Sequence, residues 1–124
     1  MTKSGGSILV IEDDPDVRDS VKMALEDEGY RVATASHGKE GLEYLDSYDS
    51  PSLILLDLMM PVMSGAEFLA AIRQHPFHAA IPVVILSAWG RAAARLDGIQ
   101  GFVGKPVDLD VLLGFVRRFC GGAD

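Results

Sequence analysis

Ile8-Leu9-Val10-Ile11-Glu12-Asp13-Asp14-Pro15 passes from four apolar residues through three acids to a proline. Four consecutive apolar residues suit a strand covered on both faces, since a half-exposed strand would alternate apolar with polar side chains. The chain then turns through three acids into a helix. Asp14 is an N-cap residue, and Pro15 takes the first helical position, where a missing N–H costs nothing.

The same grammar repeats along the chain. Five strands are predicted: Ile8 to Ile11, Arg31 to Ala35, Leu53 to Leu56, Val83 to Leu86, and Phe102 to Val103. The first, third and fourth are continuously apolar and would form the centre of the sheet. Between them lie amphipathic stretches. The first helix turns Val17, Val21, Ala24 and Leu25 inward and stops at Gly29. A second, around Lys39 to Tyr48, buries Leu42 and Leu45, and a third from Ser64 buries Phe68, Leu69 and Ile72. Pro51 and Pro76 close them. The last begins near Asp108, presents Leu112, Phe115, Val116 and Phe119, and ends at Gly121-Gly122. Between the fourth and fifth strands only Arg91 to Leu96 remains for a helix of little more than one turn. Alternating strands and helices of this kind build an α/β fold, a doubly wound parallel sheet.

Composition narrows the classes. The 124 residues, 48% apolar and 23% charged, are the size of one domain with an ordinary core. Eighteen acids against eleven bases give a net charge of −7, the wrong sign for a surface that neutralises nucleic-acid phosphates. Cys120 is the single cysteine, so no internal disulfide exists and a reducing, cytoplasmic setting is expected. The uncharged stretch Ala79 to Gly90 contains Pro82 and falls short of the ~20 apolar residues of a membrane span. Met1 to Ser7 lacks the apolar core of a secretory signal.

In an open parallel sheet, ligands bind outside the carboxyl ends of the strands. Here those ends carry Glu12-Asp13-Asp14, Asp57, Ser87, and Lys105-Pro106. Carboxylates gathered from two strand ends repel unless a cation or a proton lies between them, and an all-oxygen cluster suits Mg²⁺. Magnesium suggests a phosphoryl group, with Lys105 as a positive point charge and Ser87 as a hydroxyl donor. An aspartate in that setting can be the nucleophile that forms an aspartyl phosphate. Asp57, directly after Leu53-Ile-Leu-Leu56, is the sharpest candidate, whereas Asp14 reads as a helix cap more than as a ligand. His37, His75 and His78 share no spacing with the acids and are read as surface residues, not as ligands or bases. Met59, Met60 and Met63 read as loop packing. No phosphate-binding glycine fingerprint follows the first strand, which argues against a dinucleotide fold.

Four segments resemble the receiver domains of bacterial two-component response regulators. Asp57-Leu-Met-Met-Pro61-Val-Met-Ser-Gly65 is similar to the phosphoacceptor loop, and Ile8 to Pro15 to the first strand with its acidic pair. Ser87-Ala88 resembles the hydroxyl residue and its small neighbour, and Phe102-Val-Gly-Lys105-Pro106 the switch aromatic, lysine and proline. The resemblance is closest in kind to the single-domain chemotaxis-type regulator. It implies a flavodoxin-like, five-stranded sheet of order 2-1-3-4-5 with helices on both faces, a frayed or disordered segment over 1–6, a receiver over 7–120, a tail over 121–124 and no output domain. It further implies that Asp57 takes a phosphoryl group from a histidine kinase or a histidine phosphotransfer protein. Glu12, Asp13, Asp57 and the backbone carbonyl of Met59 would hold Mg²⁺, Lys105 would contact phosphoryl oxygens, and the Lys105–Pro106 bond would be cis. Ser87 and the Ala88 amide would move to the phosphate and Phe102 would turn inward behind them. The changed surface over the fourth helix, fifth strand and fifth helix would be read by a downstream effector protein. Such a chain is a switch and not a turnover enzyme: it promotes its own phosphorylation and slow autodephosphorylation, as a monomer or a phosphorylation-dependent dimer, with no nucleic acid or membrane as partner.

Two features depart from the family pattern. The interval from Ser87 to Lys105 is about one helical turn shorter, so the fourth helix is expected to be short or partly disordered. Met59 and Trp89, two residues beyond Asp57 and Ser87, are both large and apolar, which suggests a long-lived phosphoaspartate or, for Trp89, a partner contact. An aspartyl-phosphate phosphatase needs a second acid two residues after its nucleophile, where this chain has Met59. A flavodoxin-like electron carrier would set its flavin phosphate against the strand-end acids. A degenerate receiver is disfavoured because every site position carries a competent residue.

Overall fold

In the computed structural model, which describes residues 6–47, 50–58, 60, 63–88 and 98–121, the apolar runs become five strands: β1 (Ser7–Ile11), β2 (Arg31–Ala35), β3 (Leu53–Asp57), β4 (Val83–Ser87) and β5 (Gly101–Gly104). They pair in parallel in the order β2-β1-β3-β4-β5. The described helices are α1 (Pro15–Asp27), α2 (Gly38–Ser47), α3 (Gly65–Arg73) and α4 (Leu109–Cys120). The doubly wound sheet and its strand order are therefore as expected. The short helix expected between the fourth and fifth strands lies outside the described residues.

The continuous apolar runs divide between two cores because successive side chains on a strand point to opposite faces. Leu9, Ile11, Ile54, Leu56, Val83 and Ile85 pack with Leu45 of α2 and with Phe68, Leu69 and Ile72 of α3. Their neighbours Ile8, Val10, Leu53, Leu55, Val84 and Leu86 pack with Val21 and Leu25 of α1 and with Leu112 and Val116 of α4. β1, β3 and β4 are thus the interior strands, while β2 and β5 form the edges and carry exposed residues such as Thr34 and Phe102.

Local chemistry sets the helix starts. The Asp14 carboxylate accepts from the amides of Asp16 (2.9 Å) and Val17 (3.4 Å), as befits the cap ahead of Pro15. Ser64 and Glu67 form a reciprocal capping box on α3, and Asp108 caps α4. Gly29 follows α1 with φ 95°, a conformation that costs a side-chain-bearing residue.

One expectation fails. His78 is not a surface residue: it is only 6% exposed. α3 stops at Arg73, short of Pro76, and the Arg73 guanidinium donates to the carbonyls of Ala79 (2.8 Å) and Ile81 (3.1 Å). That clasp folds the segment after the helix inward, and no apolar periodicity marks a turn held by a side chain.

Phe68 is fully buried between α3, Ile11 and the backbone of α2 at Gly41. Phe68→Ala should lower the free energy of unfolding by about 3–5 kcal/mol in urea titrations at fixed pH, a large part of an ordinary domain's stability.

Candidate functional site

The register of the sheet gathers the chemistry at one end. Ile11 stands opposite Leu56, Asp57 opposite Leu86, and Ser87 opposite Gly104, so each strand delivers its last polar residue beside that of its neighbour. Glu12 is fully buried, Asp57 is 3% exposed and Ser87 is 1% exposed, whereas Asp13 is open to solvent. Oxygen atoms of Glu12, Asp13 and Asp57 lie within 4.8 Å of one another.

One ammonium group faces the two buried acids. Lys105 Nζ is 2.7 Å from Glu12 Oε1 and 3.4 Å from Asp57 Oδ1. The other Glu12 oxygen accepts from the Asp14 amide at 3.1 Å. Glu12 is held further by its own amide, which donates to the Ala35 carbonyl, and by Arg18, whose guanidinium donates to the Glu12 carbonyl at 3.0 Å. Arg18 was not marked by the sequence, because a basic residue on the polar face of a helix reads as a solvated charge.

Asp57 carries most of the electrostatic imbalance. Burial raises its pKa first, and the hydrogen bond with Asp13 and the charge of Glu12 add to this. Lys105 only partly opposes them, so the carboxyl is pushed from the ordinary 3.8 up to about 7. For Lys105, burial favours the neutral amine, but the hydrogen bond and charge of Glu12, with Asp57 behind it, outweigh that and hold the pKa above its ordinary value. The ammonium is permanent at neutral pH, and the acids still hold an excess of negative charge. An all-oxygen donor set with that excess fits a hard divalent cation of the Mg²⁺ kind.

The loop after Asp57 is clamped from beneath. The Gly65 amide donates to the Leu58 carbonyl at 3.0 Å, and a Cβ at Gly65 would stand 2.5 Å from the Asp57 carbonyl oxygen. Only glycine lets α3 begin this close to the end of β3. On the far side of the site, the Lys105 amide donates to the Ser87 carbonyl at 2.9 Å, and the Lys105–Pro106 bond is cis, as the resemblance implies. Ala88 follows Ser87 at the surface. Phe102 is not part of the cluster; it lies on edge strand β5, 40% exposed. Met59 and Trp89 lie outside the described residues.

The profile of the response regulator receiver domain matches residues 8–117. The response regulator Rre1 of Synechocystis is 38% identical over 117 residues, covering 90% of this chain and 50% of Rre1, so the chain spans half the length of that relative. Among solved structures, the chemotaxis protein CheY4 of Vibrio cholerae superposes with a TM-score of 0.83 at 28% identity, covering 93% of this chain and 98% of CheY4. The response regulator TrrA of Thermotoga maritima, in complex with Mg²⁺–BeF, superposes with a TM-score of 0.82 at 30% identity, covering 91% of this chain and 97% of TrrA.

The raised Asp57 pKa sets a pH dependence. Between about pH 4 and 7 the folded chain keeps a proton that the unfolded chain releases, so this stability is complete below that window and is lost as pH rises through about 7. In EDTA, urea unfolding of the wild type should therefore show lower stability at pH 8 than at pH 5. Asp57→Asn should flatten that dependence and stabilise the protein by about 1–3 kcal/mol at pH 8.

Proposed function

This chain belongs to the response regulator receiver domains, and from that membership we propose that it is a phosphoacceptor switch in which Asp57 takes a phosphoryl group from a phosphohistidine. The observation that carries the reading is the placing of Asp57, buried at the end of β3, 3.4 Å from Lys105 and beside Glu12 and Asp13. Partner histidine kinases or histidine phosphotransfer proteins would supply the group. An Asp57 carboxylate oxygen forms the new bond to phosphorus as the phosphorus–nitrogen bond breaks, and the imidazole leaves with the electron pair and takes a proton.

Glu12, Asp13, Asp57 and the Met59 carbonyl would hold Mg²⁺. Bound there, the ion supplies positive charge that favours the ionised Asp57 and offsets charge on the transferring group. The chain's own residues do the rest. Lys105, already shared between Glu12 and Asp57, reaches phosphoryl oxygens with a small shift of its side chain. The Ser87 hydroxyl and the Ala88 amide, at the end of the strand beside Asp57, donate to the same oxygens.

Readout follows from the thinness of β5. Lys105 leaves this edge strand directly, and Asp108 caps α4 three residues later, so a pull on Lys105 and Ser87 acts on β5 and the start of α4. Phe102, exposed here, turns inward behind the shifted Ser87. The face carrying β5 and α4, together with the short helix expected from the sequence between β4 and β5, would then present a different surface to an effector protein, or to a second copy in a phosphorylation-dependent dimer. Over residues 7–120 the chain acts as a receiver, in the cytosol. Its own hydrolysis of the acyl phosphate would be slow, because the positions two residues after Asp57 and Ser87, which flank the phosphorylation site in the family, are here the large apolar Met59 and Trp89.

Trp89 is the only tryptophan and follows Ser87 by two residues, so its fluorescence is expected to report on the site. Emission should change on addition of Mg²⁺ and again with acetyl phosphate or beryllofluoride, and Asp57→Asn should abolish the acetyl-phosphate response. A silent wild type, or an unchanged Asp57→Asn response, overturns the reading. Phosphoaspartate decay followed with radiolabelled acetyl phosphate should be faster in Trp89→Ala than in the wild type; an unaltered lifetime removes Trp89 from that role.

A further inference from the structure

At the other end of the sheet, away from the strand-end acids, a second constellation lies between α2 and the segment after α3. Asp46, in the last turn of α2, faces two imidazoles from His75-Pro-Phe-His78. Asp46 Oδ1 is 3.9 Å from His75 Nε2 and 3.7 Å from His78 Nε2, and the rings stack with centroids 4.0 Å apart. One ligand atom from each residue falls within 4.8 Å of the other two.

The geometry points to a transition-metal site of the Zn²⁺ class at Asp46, His75 and His78. These separations are too long for hydrogen bonds. They are close to the spacing of donors around a tetrahedral ion, where bonds of about 2.0–2.1 Å place ligand atoms about 3.3–3.5 Å apart. A cation would draw Asp46 and each imidazole together by a few tenths of an ångström and splay the two stacked rings so that their lone pairs converge on it. Two imidazoles and one carboxylate select Zn²⁺ and its neighbours over Mg²⁺.

Three further observations favour a cation there. His78 is 6% exposed, its Nδ1 has no hydrogen-bond partner among the described residues, and its Nε2 faces Asp46. A buried ring with an orphaned Nδ1 and only a distant carboxylate at Nε2 is poorly satisfied by the described residues alone. Second, α2 ends at this cluster with no basic residue in its last turn to meet the helix dipole, whereas the last turn of α3 already carries Arg73. Third, the cluster lines an open cleft of about 490 Å³ with Leu45, Ser50, Pro76 and Phe77, which leaves room for water at the fourth position.

Loading requires one rearrangement. The Phe77 amide donates to His75 Nδ1 at 3.1 Å, so the His75 ring carries its proton on Nε2, toward Asp46. On coordination through Nε2 that proton moves to Nδ1 and the Phe77 amide is released. Phe77 is 81% exposed, so water takes over the amide. The bound ion ties the end of α2 to the turn that the Arg73 clasp already folds inward, independently of phosphorylation.

The test uses untagged protein in the Asp57→Asn background with saturating Mg²⁺, so that the strand-end acids contribute nothing. Calorimetric titration should show one equivalent of Zn²⁺ bound, and Co²⁺ should give the intense visible absorption of a tetrahedral site. Asp46→Asn and His75→Gln, at positions with side chains 68% and 37% exposed, should each weaken Zn²⁺ binding at least tenfold, with circular dichroism confirming an unaltered fold. His78→Asn should abolish it. The inference is overturned by the absence of Zn²⁺ binding in that background, or by affinity unaltered in both Asp46→Asn and His75→Gln.

Discussion

The ion pairs of Lys105 with Glu12 and Asp57 are the constraint on which the rest of the site depends. Two carboxylates with almost no solvent access stand at adjacent strand ends, and such charges are costly to bury without partners. One ammonium, 2.7 Å from one acid and 3.4 Å from the other, offsets part of that cost. The compensation is incomplete, and the raised pKa of Asp57 is its signature. This incomplete balance suits the proposed function, because a cation and then a phosphoryl group would enter a place where negative charge is not fully compensated.

The scaffold around this imbalance is rigid where it must be. β1, β3 and β4 send alternate residues into two separate cores, so the positions of Glu12, Asp57 and Ser87 are set by packing on both faces of the sheet. The α3 start cannot retreat from the Asp57 loop, nor can a side chain replace hydrogen at Gly65 without a collision. The side of the site bearing Lys105 is different in kind. It hangs from a four-residue edge strand in which only Val103 is buried. A firmly packed Asp57 beside a lysine carried by a lightly packed edge strand suits the proposed switch, in which the charge event would fall on the firm side and the motion on the light one.

Much of this was legible from the residues. The apolar runs at Ile8, Leu53 and Val83 became the interior strands because a strand buried on both faces has no reason to alternate. Asp14-Pro15, Ser64 and Asp108 marked helix starts because capping is local chemistry. The strand-end acids, Ser87 and Lys105 were recognisable as one site because parallel topology places all carboxyl ends together. The reading failed at His78, whose burial depends on Arg73 donating to carbonyls six and eight residues further on. Arg18 was passed over for a similar reason: its partner is a backbone carbonyl, and no residue pattern advertises a backbone partner.

By itself the amino-acid sequence determined the class of sheet, its interior strands, and the identity of the acids, hydroxyl and amine at the strand ends, since periodicity and capping are properties of neighbouring residues. How charge is shared among them follows from the folded packing. That Lys105 lies nearer Glu12 than Asp57, that Asp57 is pushed up to about 7, and that Asp46 meets two histidines are consequences of distances between residues far apart in the chain. Coulomb energies and desolvation depend on those distances and on burial, which residue order does not specify until the packing of both cores has set them.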